Sequence, residues 1–341
     1  MSKLFRVTAA LLAVIAIAAC MGTTPAQAAA KQLAFVMPNA THGFMAAAIQ
    51  YADAGLKRDG AQYPDIETRL LTSADPSEQS NQLDTLINEK VDTIVLWPHN
   101  GDDLRSAAQK VIDAGIKLVV FDRLISDITP VSEVDMDNFA YGAYCAAALN
   151  DFFKDRLGSG EKIQVLEFKG DNSTAATVRT DGFNATKHAN IEIVQSFSTD
   201  WQRSRGLEYM ETFLTNTRKE DIEAIDAIFS HDGEPTGGAF DAMVNYNGPA
   251  TLSNLKVIAE VISNMDSVRL TADMKDKFAI YHAGCFVPPS CTDFGVAVGF
   301  DVANGKEVPK AVKIGYVSIT TDNYESYLSD EAKLYKLDVK Y

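Results

Sequence analysis

Short, nearly continuous apolar runs recur along the chain, separated by stretches with apolar residues at helical spacing. The runs over 33–37, 93–97 and 118–121 are too short for buried helices. They predict strands covered on both faces, as in a parallel sheet, and 66–71, half polar, is read as a further strand. The stretches 44–56, 76–90 and 104–114 between them predict helices. Leu83, Leu86 and Ile87 share a helical face in the second, and Gly115 closes the third as a C-terminal glycine. After Asp127-Ile128-Thr129-Pro130 the alternation restarts. Strands are predicted over 131–136, 163–168, 191–197, 227–229 and 256–261. Helices are predicted over 138–153, from the polar loop 169–174 through 189, over 203–215 and over 237–246. Strict alternation predicts α/β architecture: two doubly wound parallel-sheet lobes with a ligand cleft between them. Beyond Val261 the pattern weakens to a strand over 278–283, a helix over 293–303, a strand over 312–319 and a helical tail over 323–334. These are too few strands for a third domain and are expected to complete the first two. The expected division is 31–134 plus 283–313 for the first lobe and 135–282 plus 314–341 for the second.

The first 30 residues stand outside this pattern. Lys3 and Arg6 precede an apolar run from Ala9 to Ala19, too short to span a bilayer, and small residues ending in Ala26-Gln27-Ala28-Ala29-Ala30 follow. This predicts a secretory signal peptide over 1–30, cleaved after Ala28 or Ala30. Ile17-Ala18-Ala19-Cys20 is similar to a bacterial lipobox, so lipidation at Cys20 is the alternative. The expected location is periplasmic.

The whole chain of 341 residues has a formal net charge of −15, and loss of Lys3 and Arg6 makes it −17. Such an acidic chain argues against nucleic acid as a partner. Export raises the expectation of a disulfide, and Cys285 with Cys291, six residues apart, are the pair predicted to form one. Cys145, inside an apolar helical stretch, is expected to be a buried free thiol. No spacing of Cys and His suggests a metal site, and no cofactor is expected.

Candidate chemistry begins at Asp122-Arg123, directly after the 118–121 run. In open α/β sheets ligands bind past the carboxyl ends of the strands. A carboxylate accepts hydrogen bonds and a guanidinium donates several in a fixed fork. Together they suit a polyhydroxylated molecule, although a salt bridge closing a strand end would look the same. Asp232 and His99 also follow strands. His99 and Asn138 have a simpler alternative as helix caps.

The motifs Phe121-Asp122-Arg123, Asp137-Asn138, Arg179-Thr180-Asp181-Gly182-Phe183, Asp200-Trp201-Gln202-Arg203-Ser204-Arg205-Gly206 and Ser230-His231-Asp232-Gly233-Glu234 occur in this order over most of the chain. In that arrangement the sequence resembles the type I periplasmic sugar-binding proteins of ABC transporters, in particular the ribose-binding group and galactofuranose-binding proteins. The resemblance implies one sugar clamped between two lobes joined by three crossovers. It implies that Asp122 and Arg123 bind hydroxyls from the first lobe, and that Arg179 and Asp232 do so from the second, many relatives having Asn at the last position. Trp201 and Phe44 stand at the family's aromatic positions. Aromatic rings suit the C–H face of a sugar, and charged or amide groups its rim. The turn after the 256–261 strand lacks the family's aspartate, with Glu260 as the nearest substitute. Thr41 and His42 in the first loop, with His282, complete the candidates.

The expected function is delivery of a pentose, hexose or related polyol to ABC permease subunits by a monomeric binder, through hinge closure without chemistry. Presentation of such a ligand to a chemoreceptor or sensor kinase is the alternative. A repressor is disfavoured because no basic helix-turn-helix precedes residue 31. An enzyme is disfavoured because no Gly-x-Ser-x-Gly, metal cluster or phosphate loop occurs.

Overall fold

The computed structural model describes residues 30–335, 337 and 339–340. The expected signal peptide and Cys20 lie outside the described residues. The strands of the first lobe are β1 (Lys31–Pro38), β2 (Ile66–Ser73), β3 (Thr93–Leu96), β4 (Lys117–Phe121) and β5 (Ser132–Asp135). Those of the second are β6 (Ile163–Lys169), β7 (Ile191–Ser198), β8 (Ala227–Ser230), β9 (Val257–Ile262) and β10 (Tyr281–Phe286). All pair in parallel. Three later strands, β11 (Ala311–Ile314), β12 (Val317–Thr320) and β13 (Val339–Lys340), extend the sheets. Their orders are β13-β11-β5-β4-β3-β1-β2 and β12-β10-β9-β8-β6-β7. Leu118 to Phe121 are almost wholly buried, as helix layers on both sheet faces require.

The main helices are α1 (Gly43–Gly60), α2 (Pro76–Glu89), α3 (Gly101–Asp113), α4 (Asn138–Phe152), α5 (Thr174–Thr186), α6 (Arg203–Asn216), α7 (Gly233–Asn245), α8 (Met265–Phe278) and α9 (Thr292–Ala303). Asn100, Ser173, Asp232 and Asn264 cap α3, α5, α7 and α8 by accepting a backbone N–H each. In each case the capped end follows the carboxyl end of a strand and faces the interlobe side.

The C-terminal third differs from expectation. The single strand expected over 312–319 is two strands in different sheets. Gly315 and Tyr316 carry the chain across between them. The 278–283 strand is displaced to β10, because Ala279, with φ 52°, ends α8 in the left-handed region. Helix α8 itself escaped the pattern because two of its four buried residues, Ser267 and Thr271, are polar. The lobe boundary expected at 283 falls inside β10, where Ala283 pairs with Ala259 of β9, so the return to the first lobe comes after Phe286. The tail is not wholly in the second lobe either: β13 pairs with β11 in the first sheet.

The chain therefore crosses between lobes after β5, after β10 and after β11. The Tyr141 hydroxyl donates to the Ile314 carbonyl at 3.1 Å, and Tyr144 and Tyr141 pack edge-on to Tyr316. The predicted disulfide is absent: Cys145, Cys285 and Cys291 are free buried thiols. Cys285 ends a strand of the second sheet, whereas Cys291 lies beyond the crossing, with its Sγ 3.7 Å from Met136 Sδ. The extended Val287-Pro288 link separates them, so the short sequence interval does not close into a loop.

Candidate ligand-binding site

The carboxyl ends of both sheets face one another across a shared, narrow cavity. Nearly every strand end contributes to its lining. His42, Phe44 and Met45 follow β1, Trp97 follows β3, Asp122 and Arg123 follow β4, and Met136 follows β5. From the second lobe come Ala175 and Arg179 of α5, Trp201 after β7, Asp232 after β8, Val261 and Ser263 around the end of β9, and Val287 after β10.

A hydrogen-bonded chain links the charged groups of the two lobes. Asn138 Nδ2 donates to Asp122 Oδ1 at 3.0 Å, and Asn138 Oδ1 accepts from Arg179 Nε at 2.8 Å. All three side chains are buried. Asp122 has φ 60°, a left-handed conformation that Asp tolerates better than most residues. The Arg123 guanidinium donates to the His99 carbonyl and lies 3.6 Å from the Asp171 carboxylate of the opposite lobe. Burial works to raise the Asp171 pKa, but Arg123, Ser173 and the Trp201 indole outweigh it and the carboxyl is lowered overall. Asn100 Nδ2 also reaches across, donating to the Asn172 carbonyl at 3.2 Å.

Arg179 is held from behind as well. It donates to the His231 carbonyl. Gly170 N–H donates to His231 Nδ1 at 3.3 Å, which leaves Nε2 to donate to Glu167 Oε1 at 3.2 Å. Burial lowers the His231 pKa against the pull of Glu167, consistent with this neutral tautomer. Helices α4 and α5 must approach closely for Asn138 to meet Arg179. A Cβ on Gly142 would lie 1.9 Å from the Arg179 carbonyl oxygen, and one on Gly182 would lie 2.1 Å from that of Phe139.

Trp201 lies under the Arg179 guanidinium, 5.1 Å from its ring, and faces His42 of the first lobe at 6.3 Å between centroids. Its φ of 62° is unusual for a bulky residue and costs about 1–3 kcal/mol. A Cβ at Gly170 would sit 2.2 Å from the indole, so the ring needs glycine there. Phe44 stacks beside His42 and meets Trp97 edge-on. Burial, then Arg123, lowers the His42 pKa to about 4, keeping the imidazole neutral near pH 7. Asp232 behaves oppositely: burial pushes its pKa up to about 7 although Arg179 works against this, and Oδ1 accepts the Glu234 N–H at 2.9 Å. His42 Nδ1, Trp97 Nε1 and Arg123 Nε are buried without hydrogen-bond partners among the described residues, while the Trp201 indole N–H is directed at the Asp171 carboxylate. Buried polar groups normally have partners, so this cluster of three marks where a polar ligand is expected.

Asp122, Arg123, Arg179, Asp232, Trp201 and Phe44, all candidates from the sequence, thus meet in one cavity. Four other candidates do not line it. Thr41 is exposed, because α1 starts just after it and turns His42 and Phe44 inward instead. His99 is turned toward Ser73, whose carbonyl lies 2.9 Å from Nε2, and reaches the site only through its backbone hold on Arg123. Glu260 and His282 form a separate buried cluster in the second lobe. His282 Nε2 lies 2.7 Å from Glu260 Oε1, and Nδ1 lies 2.7 Å from Thr271 Oγ1. Glu260 sits within β9 rather than at its end, so Ser263 takes the place expected of it. The sequence reading missed Trp97, Met136, Ser263 and Val287. Their shared signal is position at or just beyond a strand's carboxyl end, the rule already applied to Asp122. Asn138, read mainly as a cap, is instead the bridge between Asp122 and Arg179, and Asp137 occupies the cap position.

Residues 33–262 match the periplasmic binding protein domain model. The chain belongs to that family. It is 26% identical over 238 residues to the ribose import binding protein of Bacillus subtilis, covering 70% of this chain and 72% of the relative. It is 27% identical over 243 residues to a galactofuranose-binding protein of Escherichia coli, covering 68% and 71%. Among solved structures, a Mycobacterium smegmatis protein in complex with β-D-fucofuranose has a TM-score of 0.76 at 20% identity, covering 92% of this chain and all of that one. A Bacillus halodurans ABC transporter solute-binding protein with bound myo-inositol has a TM-score of 0.74 at 20% identity, covering 89% and 99%. At that identity these structures share the fold. The two parallel-sheet lobes are those of a type I periplasmic binding protein.

Proposed function

We propose that the protein is the solute-binding component of an ABC importer, clamping a monosaccharide or related polyol between its lobes by hinge closure. The observation that carries this reading is the cavity itself. Charged groups from both lobes, joined through Asn138, face the same space as two indoles and three unpartnered buried nitrogens. Charged and amide groups suit hydroxyl recognition, and the rings suit a sugar's C–H face. Asp122, Arg123 and His42 hold the ligand from the first lobe; Arg179, Asp232 and Trp201 hold it from the second. A ligand touching both lobes stabilises the closed arrangement by its differential affinity, with no covalent step. The sugar binders among the relatives agree with this class, and export to the periplasm follows from the leader expected at 1–30.

A thermal-shift screen with pentoses, hexoses and polyols tests the proposal. A ligand at 100 times its Kd adds about 2.7 kcal/mol, so one chemical class is expected to raise Tm by several degrees. No shift with any saccharide or polyol would remove the sugar reading.

A further inference from the structure

The cavity has two chemically different halves. Its charged lining is tied together: Asp122 and Arg179 through Asn138, Arg179 against Trp201, and Arg123 against Asp171. The other half is apolar and continuous. Met45, Trp97, Met136, Val261 and Val287 line the cavity and belong to one hydrophobic cluster, with Phe44 packed against it. That cluster is the core of the first lobe, yet Val261 and Val287 enter it from the ends of the second lobe's β9 and β10. None of these six bears a charge or an amide; Trp97 Nε1 is the one donor among them, at one edge of this wall, and Ser263 is the single hydroxyl side chain in the lining. A sugar hydroxylated all round would lose its bonds to water on this side and find few replacements. A methyl, a deoxy carbon or a thioether there would instead gain by leaving water.

Resting on the sugar reading of this site, we infer that the ligand class is a monosaccharide with an apolar end: a deoxy or alkyl-substituted sugar rather than its fully hydroxylated parent. Asp122, Arg123, Arg179 and Asp232 hold its hydroxylated edge, and the Met and Val side chains enclose the end that lacks a hydroxyl.

Matched pairs test this by calorimetric titration of the full chain: 5-deoxy-D-ribose against D-ribose, D-fucose against D-galactose, and L-rhamnose against L-mannose. In whichever pair binds, the deoxy member is expected to bind at least tenfold more tightly. Equal or tighter binding of the hydroxylated parent overturns the inference. Binding of some other saccharide or polyol, with no deoxy sugar bound, also overturns it while leaving the sugar reading intact. Silence from every saccharide and polyol defeats both. The variants Val287→Thr and Val261→Thr place a hydroxyl in the apolar half with little change of volume. At least one should shrink the deoxy preference several-fold, and an unchanged ratio in both would mean that this wall does not face the substituent.

Discussion

Asp232 is buried at the cap of α7 with its pKa pushed up to about 7. In the unfolded chain its pKa lies near 3.8. Between those values the folded protein binds more protons than the unfolded one, so this group's contribution to stability falls as pH rises from about 4 to about 7. Asp232→Asn keeps the acceptor for the Glu234 N–H and removes the buried charge. The variant is expected to be more stable than the parent at pH 8, by on the order of 1–3 kcal/mol, and to show a smaller gain at pH 5. Ligand-free melting at both pH values checks this; a gain that does not grow with pH would show that burial is not what shifts the group. His42 contributes with the opposite sign, its lowered pKa making stability fall as pH drops from about 6.5 to about 4, but it is common to both proteins and cancels. At this scale the legible residues were those whose chemistry is conspicuous at a strand end: Asp122, Arg123, Asp232 and Trp201. Met136, Val287 and Trp97 were illegible because an apolar residue beside a strand end reads as core, and here it is both core and cavity wall.

At the level of elements, the contact between α4 and α5 positions the site. Gly142 and Gly182 let the two helices touch backbone to backbone, and this brings Asn138 within 2.8 Å of Arg179 Nε. Gly142→Ala is expected to wedge them apart, with overpacking costing about 1–3 kcal/mol and ligand affinity falling at least tenfold as Arg179 moves. Chemical denaturation and titration of the same variant measure both effects. Full affinity in a destabilised variant would mean that the helix contact supports the fold but not the site. The periodic elements through β9 were legible chiefly where a strand buries an unbroken apolar run, as β1 and β4 do, and elsewhere from the repeated alternation of strand and helix. Legibility ended with α8, half of whose buried positions are polar, and with the 312–319 stretch, where one apolar run serves two sheets. Six-residue spacing likewise misled at Cys285 and Cys291, since spacing carries no information about a crossing between lobes.

As a whole the molecule is two lobes touching across a cleft, through Arg123 with Asp171, Asn100 with Asn172 and His42 with Trp201. Opening must break these contacts, and a ligand must make its own with both lobes to restore closure. Two lobes and their cleft were evident from the repeated alternation; the lobe boundaries were not, because β10 and β12 belong to the second sheet while α9 and β11 between them return to the first. The chain contains two tryptophans, Trp97 and Trp201, and both line the cavity from opposite lobes. Intrinsic tryptophan emission is therefore a direct report on occupancy. The sugar or polyol that raises Tm is expected to change that emission saturably, with Arg179→Ala folded but at least 100-fold weaker in the same titration. A thermal shift without any change in emission, or undiminished binding by Arg179→Ala, would place the ligand elsewhere and contradict the interlobe clamp.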